Sequence, residues 1–464
     1  PVFKISGGPL YYLNLSSDAF KLGGSSLGQV LGKIGNLAPT VKNPELFATA
    51  FDLLQKAIKD GQVVAGHDVA SGGLITTLLE GCFSTPDLGA EIDLTSLEEA
   101  DLVKVLFAEN AGVVFQGKDD AVEKLFSDGG IKIHRIGKVR EGAELLLKNN
   151  GTNLVLDIPS LRGTWYKTSY LLDAQQTAGD LALARYKNYA HQPLHFTFPK
   201  GFIGKLPQNT TETRERPKAA ILREKGSNSE REMAHAMYLA GFDVKDVHMT
   251  DLISGRETLE DIRFIGAVGG FSNSDVLGSA KGWAGAFKYN DKANEALQRF
   301  FARHDTLSIG ICNGCQLFME LELIHPDHEE HGKMTYNDSH KHESAFTSVR
   351  IAENHSIMLK GLAGATLGVW ISHGEGKFRL PHDASHYNIV GTYGYDSYPS
   401  NPNGSDYNTA MLCDDSGRHL VTMPHIERSI FPWNWAHYQE GRLDEVSPWL
   451  QAFIHAREWI ESHD

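Results

Sequence analysis

Apolar residues recur along this chain at strand and helix spacings, and the way the spacings alternate divides it into three stretches. In the first, Leu10 to Leu15 reads as a strand, and the Gly/Ser-rich Leu22–Val30 as a loop opening a helix. Leu46, Ala50, Leu53, Leu54 and Ile58 repeat at helical spacing over Pro44 to Asp60, with Pro44 suited to a first turn. Val63–Asp68 reads as a strand with a polar end, and Gly73–Phe83 as a helix. Strands follow near Ala90–Leu94, Gly112–Gln116, Ile131–Val139 and Leu145–Lys148, with helices near Leu97–Ala108 and Ala121–Ser127. Such interleaving predicts an α/β or α+β domain over residues 1–157.

Residues 158–216 are less regular. An amphipathic helix over Trp165–Gln176 gives way to a His- and Pro-containing stretch and the polar run Gln208–Pro217, the pattern of a connector and linker. From 217 to 464 the alternation resumes, with strands at Ala219–Leu222, Phe242–Val247 and Phe264–Gly270 and helices at Ser229–Ala240 and 293–303. A mostly β region over 346–424 and a C-terminal helix, Pro448–Glu461, complete it. This pattern predicts an open, largely parallel sheet flanked by helices, with a site at the carboxyl end of a strand.

Leu307–Ile311 is the most informative strand. It runs into Cys312, flanked by Gly310 and Gly314, and an apolar-periodic helix is expected from about Gln316. A cysteine on a sharp strand-to-helix turn meets unpaired N–H groups and the positive end of the helix dipole, which favour a thiolate and an oxyanion. Cys312 is therefore a candidate nucleophile. A nucleophile needs a base and a group to orient the base. His425 and Glu427, two apart, supply both if the chain is extended there, because i and i+2 then share a side. The glycine turn at Gly269–Gly270 offers a second oxyanion donor.

Composition narrows the setting. Hydrophobic residues make up 41% and charged residues 22%, as in ordinary globular proteins. A net charge of −14 argues against a general nucleic-acid or anionic-membrane surface. No apolar run is long enough to span a membrane, and no signal-peptide pattern is seen. Four cysteines in 464 residues do not make a disulfide framework, so a reducing, cytoplasmic setting is expected. The chain opens Pro-Val-Phe-Lys, as expected of a processed product or an excised piece.

Gly310-Ile-Cys-Asn-Gly-Cys-Gln316 with Pro424-His-Ile-Glu427 resembles the class I (triad) glutamine amidotransferases, whose glutaminase fold is flavodoxin-like. Gly269-Gly-Phe-Ser, Asp275-Val-Leu-Gly278, Ser372-His-Gly-Glu-Gly376 and Asn401-Pro-Asn-Gly-Ser405 are similar to the glutaminase part of the large, single-chain phosphoribosylformylglycinamidine synthases. Leu22–Gln29 and His67-Asp68 with Gly72-Gly-Leu74 resemble the final subdomain of their ATP-dependent synthase, of the aminoimidazole ribonucleotide synthetase C-terminal type. The resemblance implies a glutaminase needing no cofactor, in which Cys312 forms a thioester with L-glutamine, His425 and Glu427 complete the triad, and Gly270 and Asn313 donate to the oxyanion. Gln316, His373 and Glu375 would line the glutamine pocket. It further implies ATP/ADP with Mg2+ near Asp68, a nucleotide contact at Ala70, and ammonia delivery to formylglycinamide ribonucleotide with most of the synthase lying upstream. Three positions depart from the pattern. Asn273-Ser274 stands where related sequences read Tyr-Gly, Ala70 where they carry serine, and Ala345 where they carry arginine.

Other readings of the same residues stay open. Cys312 and Cys315 form a C-x-x-C, which suits redox or zinc chemistry. His325, His328, His331, His340 and His342 could bind a metal or occupy a solvated loop. Leu22–Gln29 could cradle phosphate or be a plain turn, and Asp68 could bind metal or cap a helix. His373 and Glu375 could touch glutamine or only hold their turn. A different cysteine hydrolase, or a non-catalytic nucleotide-binding fragment, remains the alternative function.

Overall fold

The structure, a computed structural model, describes residues 2–191, 194–207, 216–439 and 441–463. The chain forms two compact units, Pro1–Leu171 and Leu172–Asp464. The first is built on a seven-stranded sheet in the order Val63–Asp68, Gly112–Gly117, Leu10–Asn14, His134–Glu141, Leu88–Asp93, Glu144–Asn149, Thr152–Asp157. Its pairings are antiparallel except that of Leu88–Asp93 with Glu144–Asn149. Alternate residues of Leu10–Asn14 serve opposite faces. Leu10 and Tyr12 join a core with Leu74 and Leu78 of the helix Gly73–Phe83. Tyr11 and Leu13 join another with Leu54 and Phe126, from the helices Pro44–Lys59 and Ala121–Asp128.

The second unit holds a nine-stranded sheet. Five strands, Asp243–His248, Lys218–Arg223, Phe264–Ala267, Leu307–Ile311 and His419–Thr422, lie parallel in that spatial order. Four more, Thr409–Cys413, Asn388–Tyr393, Glu343–Ile351 and Thr366–His373, extend it antiparallel. Leu307–Ile311 is fully buried between Phe264–Ala267 and His419–Thr422. The turns after these three strands therefore emerge side by side at one end of the sheet.

Several expected elements move. The helix after Cys312 starts at Asn313, because Gly314 lets its first turn lie close to Ala267: a Cβ there would meet the Ala267 carbonyl oxygen at 2.1 Å. The strand expected over Phe264–Gly270 stops at Ala267, where the chain leaves the ladder. Leu97–Ala108 is a 3₁₀ turn, Thr95–Leu97, then a helix, Leu102–Phe107, that starts where the Asp101 side chain accepts from the N–H groups of Val103 and Lys104. The helix expected over Trp165–Gln176 runs from Ile158 to Asp173. Residues 208–215 of the expected linker lie outside the described residues.

Candidate active site

Cys312 sits on the turn between Leu307–Ile311 and the helix Asn313–Glu320, with φ 53° and ψ −104°. A non-glycine residue at positive φ is strained and must be held there by its surroundings. Cys312 is nearly buried, and its sulfur donates to the Ser372 carbonyl oxygen at 3.5 Å. His425 follows the neighbouring strand His419–Thr422, and its ring and the Cys312 side chain flank the same glycine, Gly269. His425 Nδ1 lies 2.7 Å from Glu427 Oε1, with both residues buried. That contact is made by the 3₁₀ turn Ile426–Arg428, not by an extended segment, so the expected placement arises from a different backbone.

The electrostatics follow from burial. Desolvation alone would push the His425 pKa down, but the Glu427 carboxylate and Cys312 outweigh it and raise it to about 10. Burial likewise opposes the Glu427 charge, yet His425 beside it, with Arg428 helping, holds its pKa below the ordinary range. Glu427 thus favours the imidazolium form of His425, the form it takes once the Cys312 proton has passed to it.

The turn after the third strand, Phe264–Ala267, closes the arrangement. At Gly269 a Cβ would lie 2.8 Å from His425 Cε1 and 3.4 Å from Cys312 Cβ, so only glycine permits the approach. Gly270 has φ 113°, and its N–H and that of Asn313 donate in no backbone hydrogen bond among the described residues. The Asn313 side chain accepts from Ser272 N at 3.2 Å and donates to Gln316 Oε1 at 2.9 Å. Gln316 Nε2 donates to the Glu375 carbonyl oxygen at 2.7 Å, and Glu375 Oε2 accepts from Ser279 N at 3.2 Å. Asn273, Ser274 and Asp275 adopt φ of 54°, 58° and 50° in succession, a left-handed turn in which glycine would be unstrained at the Ser274 position. His373 is buried, neither ring nitrogen has a hydrogen-bond partner among the described residues, and desolvation lowers its pKa to about 3. A cavity of ≈ 710 Å³ opens on His425 and Glu427, walled by Trp370, Phe431 and Trp433. Cys315 is fully buried in the helix, and desolvation, with Cys312 adding to it, raises its pKa, which disfavours its thiolate.

Sequence reasoning missed Ser372, Asn337 and Arg428. Arg428 adjoins Glu427 in the chain and could have been found. Asn337 donates to the His373 carbonyl oxygen at 2.7 Å, and Ser372 acts through its own carbonyl, so both contacts are made to backbone and leave little side-chain signal. His325 and His328 stack at 4.8 Å, and His328 also packs against Tyr387 and His382, whereas His340 and His342 are exposed.

In the first unit the Asp68 side chain is 75% exposed, beside His67 at 3.4 Å. Ala70 is exposed and offers only its backbone, whose carbonyl accepts from Gly73 N. The N–H of Ser26, in the Leu22–Gln29 loop, and that of Gly72 both donate to Glu109 Oε1 at 2.8 Å. That carboxylate already occupies part of the loop's anion-binding capacity. Among the described residues no group of three His, Cys, Asp or Glu is placed to hold a metal ion. Mg2+ bound mainly by nucleotide phosphates and water requires only one or two carboxylates, and exposed Asp68 fits that role.

Comparison with known proteins assigns each unit a relationship. Residues 216–460 match the CobB/CobQ-like glutamine amidotransferase domain, and residues 11–148 match the C-terminal domain of AIR synthase related proteins. The chain is 37% identical to human phosphoribosylformylglycinamidine synthase over 97% of its own length and 36% of that protein's. It is 36% identical to a probable phosphoribosylformylglycinamidine synthase, chloroplastic/mitochondrial, of Arabidopsis thaliana, over 100% of this chain and 35% of that one. The chain thus spans little more than a third of these curated relatives. A PurLQS structure from Thermotoga maritima is 25% identical, covering 54% of this chain and 99% of that one with a TM-score of 0.41. Among the described residues no helix is long and apolar enough to cross a membrane.

Proposed function

The chain belongs to the CobB/CobQ-like glutamine amidotransferase family, and from that membership we propose that its second unit hydrolyses L-glutamine through Cys312. The observation that carries this reading is the buried His425–Glu427 pair beside a cysteine on a strained elbow. The Cys312 sulfur, its proton passed to His425, attacks the side-chain amide carbon of glutamine. The carbonyl oxygen takes up the electron pair and is met by the N–H groups of Gly270 and Asn313, each lowering the barrier by about 3 kcal/mol. The His425 imidazolium gives its proton to the amide nitrogen, the C–N bond breaks, and ammonia leaves a γ-glutamyl thioester. Water then adds to the thioester while neutral His425 accepts its proton, and collapse expels the sulfur and releases glutamate. Gln316, His373 and Glu375 hold the glutamine.

The wider reading is glutamine-dependent amidation of formylglycinamide ribonucleotide to formylglycinamidine ribonucleotide with ATP hydrolysis, in purine biosynthesis. Similarity to the human and Arabidopsis relatives across nearly the whole chain supports it. Residues 1–157, which lie within the first unit, are part of the synthase in this scheme, and residues 158–216 are the connector to the glutaminase at 217–464. Asp68 would contact Mg2+, which neutralises nucleotide phosphate charge when bound. Ala70 could contribute only a backbone contact to the nucleotide. Four buried, unbridged cysteines support a reducing cytosolic location.

The test is glutamate release from glutamine by the chain, with Cys312→Ala as the critical variant. That substitution is expected to lower the rate by ~10³-fold or more. Wild-type turnover by the Ala variant would end the cysteine assignment. A diazoketone analogue of glutamine should label Cys312, with glutamine protecting and esters or peptides not.

A further inference from the structure

The end of the strand Thr366–His373 touches both groups assigned to the chemistry. The Ser372 carbonyl oxygen accepts from Cys312 Sγ, and the Trp370 carbonyl oxygen accepts from His425 N at 2.8 Å. The turn that follows is closed by buried Asn337, whose Nδ2 donates to the His373 carbonyl oxygen at 2.7 Å and whose Oδ1 accepts from Gly376 N at 3.0 Å. What holds this segment lies in the partner strand, Glu343–Ile351. Glu343 pairs with His373 and Ser344 with Ser372.

Glu343 is buried and gripped from outside the sheet. Arg185, on the helix Leu181–Asn188, places Nη2 3.0 Å from Glu343 Oε2 and Nη1 2.9 Å from Asp173 Oδ2. Its guanidinium also bonds the Tyr398 hydroxyl and lies 4.8 Å from that ring's centre, while Tyr398 donates to Glu343 Oε1 at 3.1 Å. Lys341 pairs with Asp173, and Ala178 N donates to the Ser339 carbonyl oxygen at 2.9 Å. Three ties from residues 173–185 thus converge on residues 339–343, two of them joined through Asp173. Partly buried ion clusters are weak sources of net stability compared with apolar packing, but they fix geometry when every charge is paired. Apolar side chains could anchor the same helix without specifying where Glu343 sits.

We propose that Arg185 is a positioning residue for the glutamine-binding turn: by holding Glu343 opposite His373, it fixes Ser372–Gly376 against Cys312 and His425. This rests on the reading that the turn receives glutamine. Arg185 touches no reacting atom. Its effect is on how well a glutamine-shaped molecule is presented to the thiol, not on whether the thiol is reactive.

Alkylation of Cys312 in the full 464-residue chain separates the two effects. One reagent is 6-diazo-5-oxo-L-norleucine, shaped like glutamine; the other is iodoacetamide, which needs no pocket. Arg185→Met and Glu343→Gln should slow the first reaction by about tenfold or more and the second by less than about twofold, as misplacement of a bound substrate does. Arg185→Lys should recover part of the loss. Arg442→Met is the control, since Arg442 anchors a comparable cluster with Asp444 and Phe198 away from the turn. An unchanged reagent ratio in both Arg185→Met and Glu343→Gln overturns the proposal, as does an equal change in Arg442→Met. Should Arg185→Met fail to fold, Glu343→Gln and Arg185→Lys decide by the same ratio. A wild-type chain that reacts with iodoacetamide but not with the norleucine analogue brings down the glutaminase reading, and the positioning role with it.

Discussion

The two units keep their candidate residues in opposite environments. Asp68 stands 75% exposed at a strand end, and the Leu22–Gln29 loop is tied down by Glu109. Cys312, His425 and Glu427 are 4%, 2% and 1% exposed. Water screens the first set, so its charges act only when a ligand brings charges of its own. The second set has little solvent to lean on, and its members must stabilise one another. A raised His425 and a lowered Glu427 are two sides of that requirement. Buried chemistry is therefore arranged before substrate arrives, whereas exposed chemistry waits for it. The histidines follow the same division: only His67 and His134, of 21, lie in the first unit.

If mutual stabilisation distinguishes the second unit, removing one partner should break it most. Glu427→Gln keeps the shape and withdraws the carboxylate. His425 then faces desolvation with less compensation, its pKa falls from about 10, and the imidazolium that protonates the leaving nitrogen is lost. Glutamine hydrolysis should fall on the order of 10³-fold at neutral pH. The fall should lessen towards acid, where the imidazole regains its proton; a pH-independent loss would show that Glu427 acts through shape alone. Gly269→Ala tests packing instead of charge. Its Cβ, 2.8 Å from His425 Cε1, must displace a buried ring. We expect a rate loss of ~10²-fold and destabilisation of about 1–3 kcal/mol, read by steady-state kinetics and thermal unfolding.

The same contrast explains what the sequence disclosed. Strands such as Val63–Asp68 and Leu307–Ile311 and the helix Gly73–Phe83 have the predicted bounds because apolar runs and glycine punctuation agree there. Thr152–Asp157 was not anticipated, for it is an edge strand, mostly exposed, without apolar alternation. Lys281–Lys288 contains two glycines that mask its buried stripe of Trp283, Ala284 and Phe287. At the candidate site, the thiol, the imidazole and the carboxylate were legible as residue types at fixed spacing. The left-handed Cys312, the 3₁₀ turn at Glu427 and the backbone contacts of Ser372 were not, since tertiary packing imposes them. The antiparallel half of the sheet, which carries Ser372 and His373, came only as a general β region.

Acid should separate the units more gently. Desolvation lowers His373 to about 3 and His325 and His419 to about 4, all in the second unit. Each is depressed below the ~6.5 of an unfolded histidine, so between these values the unfolded chain binds more protons. Stability is then full above about pH 6.5 and declines as pH falls towards 4. His425 has the opposite sign: its contribution is complete below about pH 6.5 and is lost as pH rises through about 10. In the first unit desolvation lowers His134. Tryptophan fluorescence reads mainly the second unit, since only Trp165 of the seven lies in the first. The fluorescence-detected Tm should drop by several degrees between pH 7 and 5, and His373→Gln should flatten that slope.

The smallest effect should come from Asp68→Asn, and its smallness is informative. The side chain lies 3.4 Å from His67 and stands mostly in water, so the folded state loses little when its charge goes. Stability should change by less than about 0.5 kcal/mol, with glutamine hydrolysis unaltered. Charge at this position should matter only when an anionic ligand and its cation are present. Mg2+ with ADP should raise the Tm of the wild-type chain more than that of Asp68→Asn, while ADP with EDTA should raise neither by the same margin. An Asp68→Asn chain that is markedly less stable without ligand would show that the first unit, too, holds its candidate residues by mutual support, and the contrast between the units would fail there.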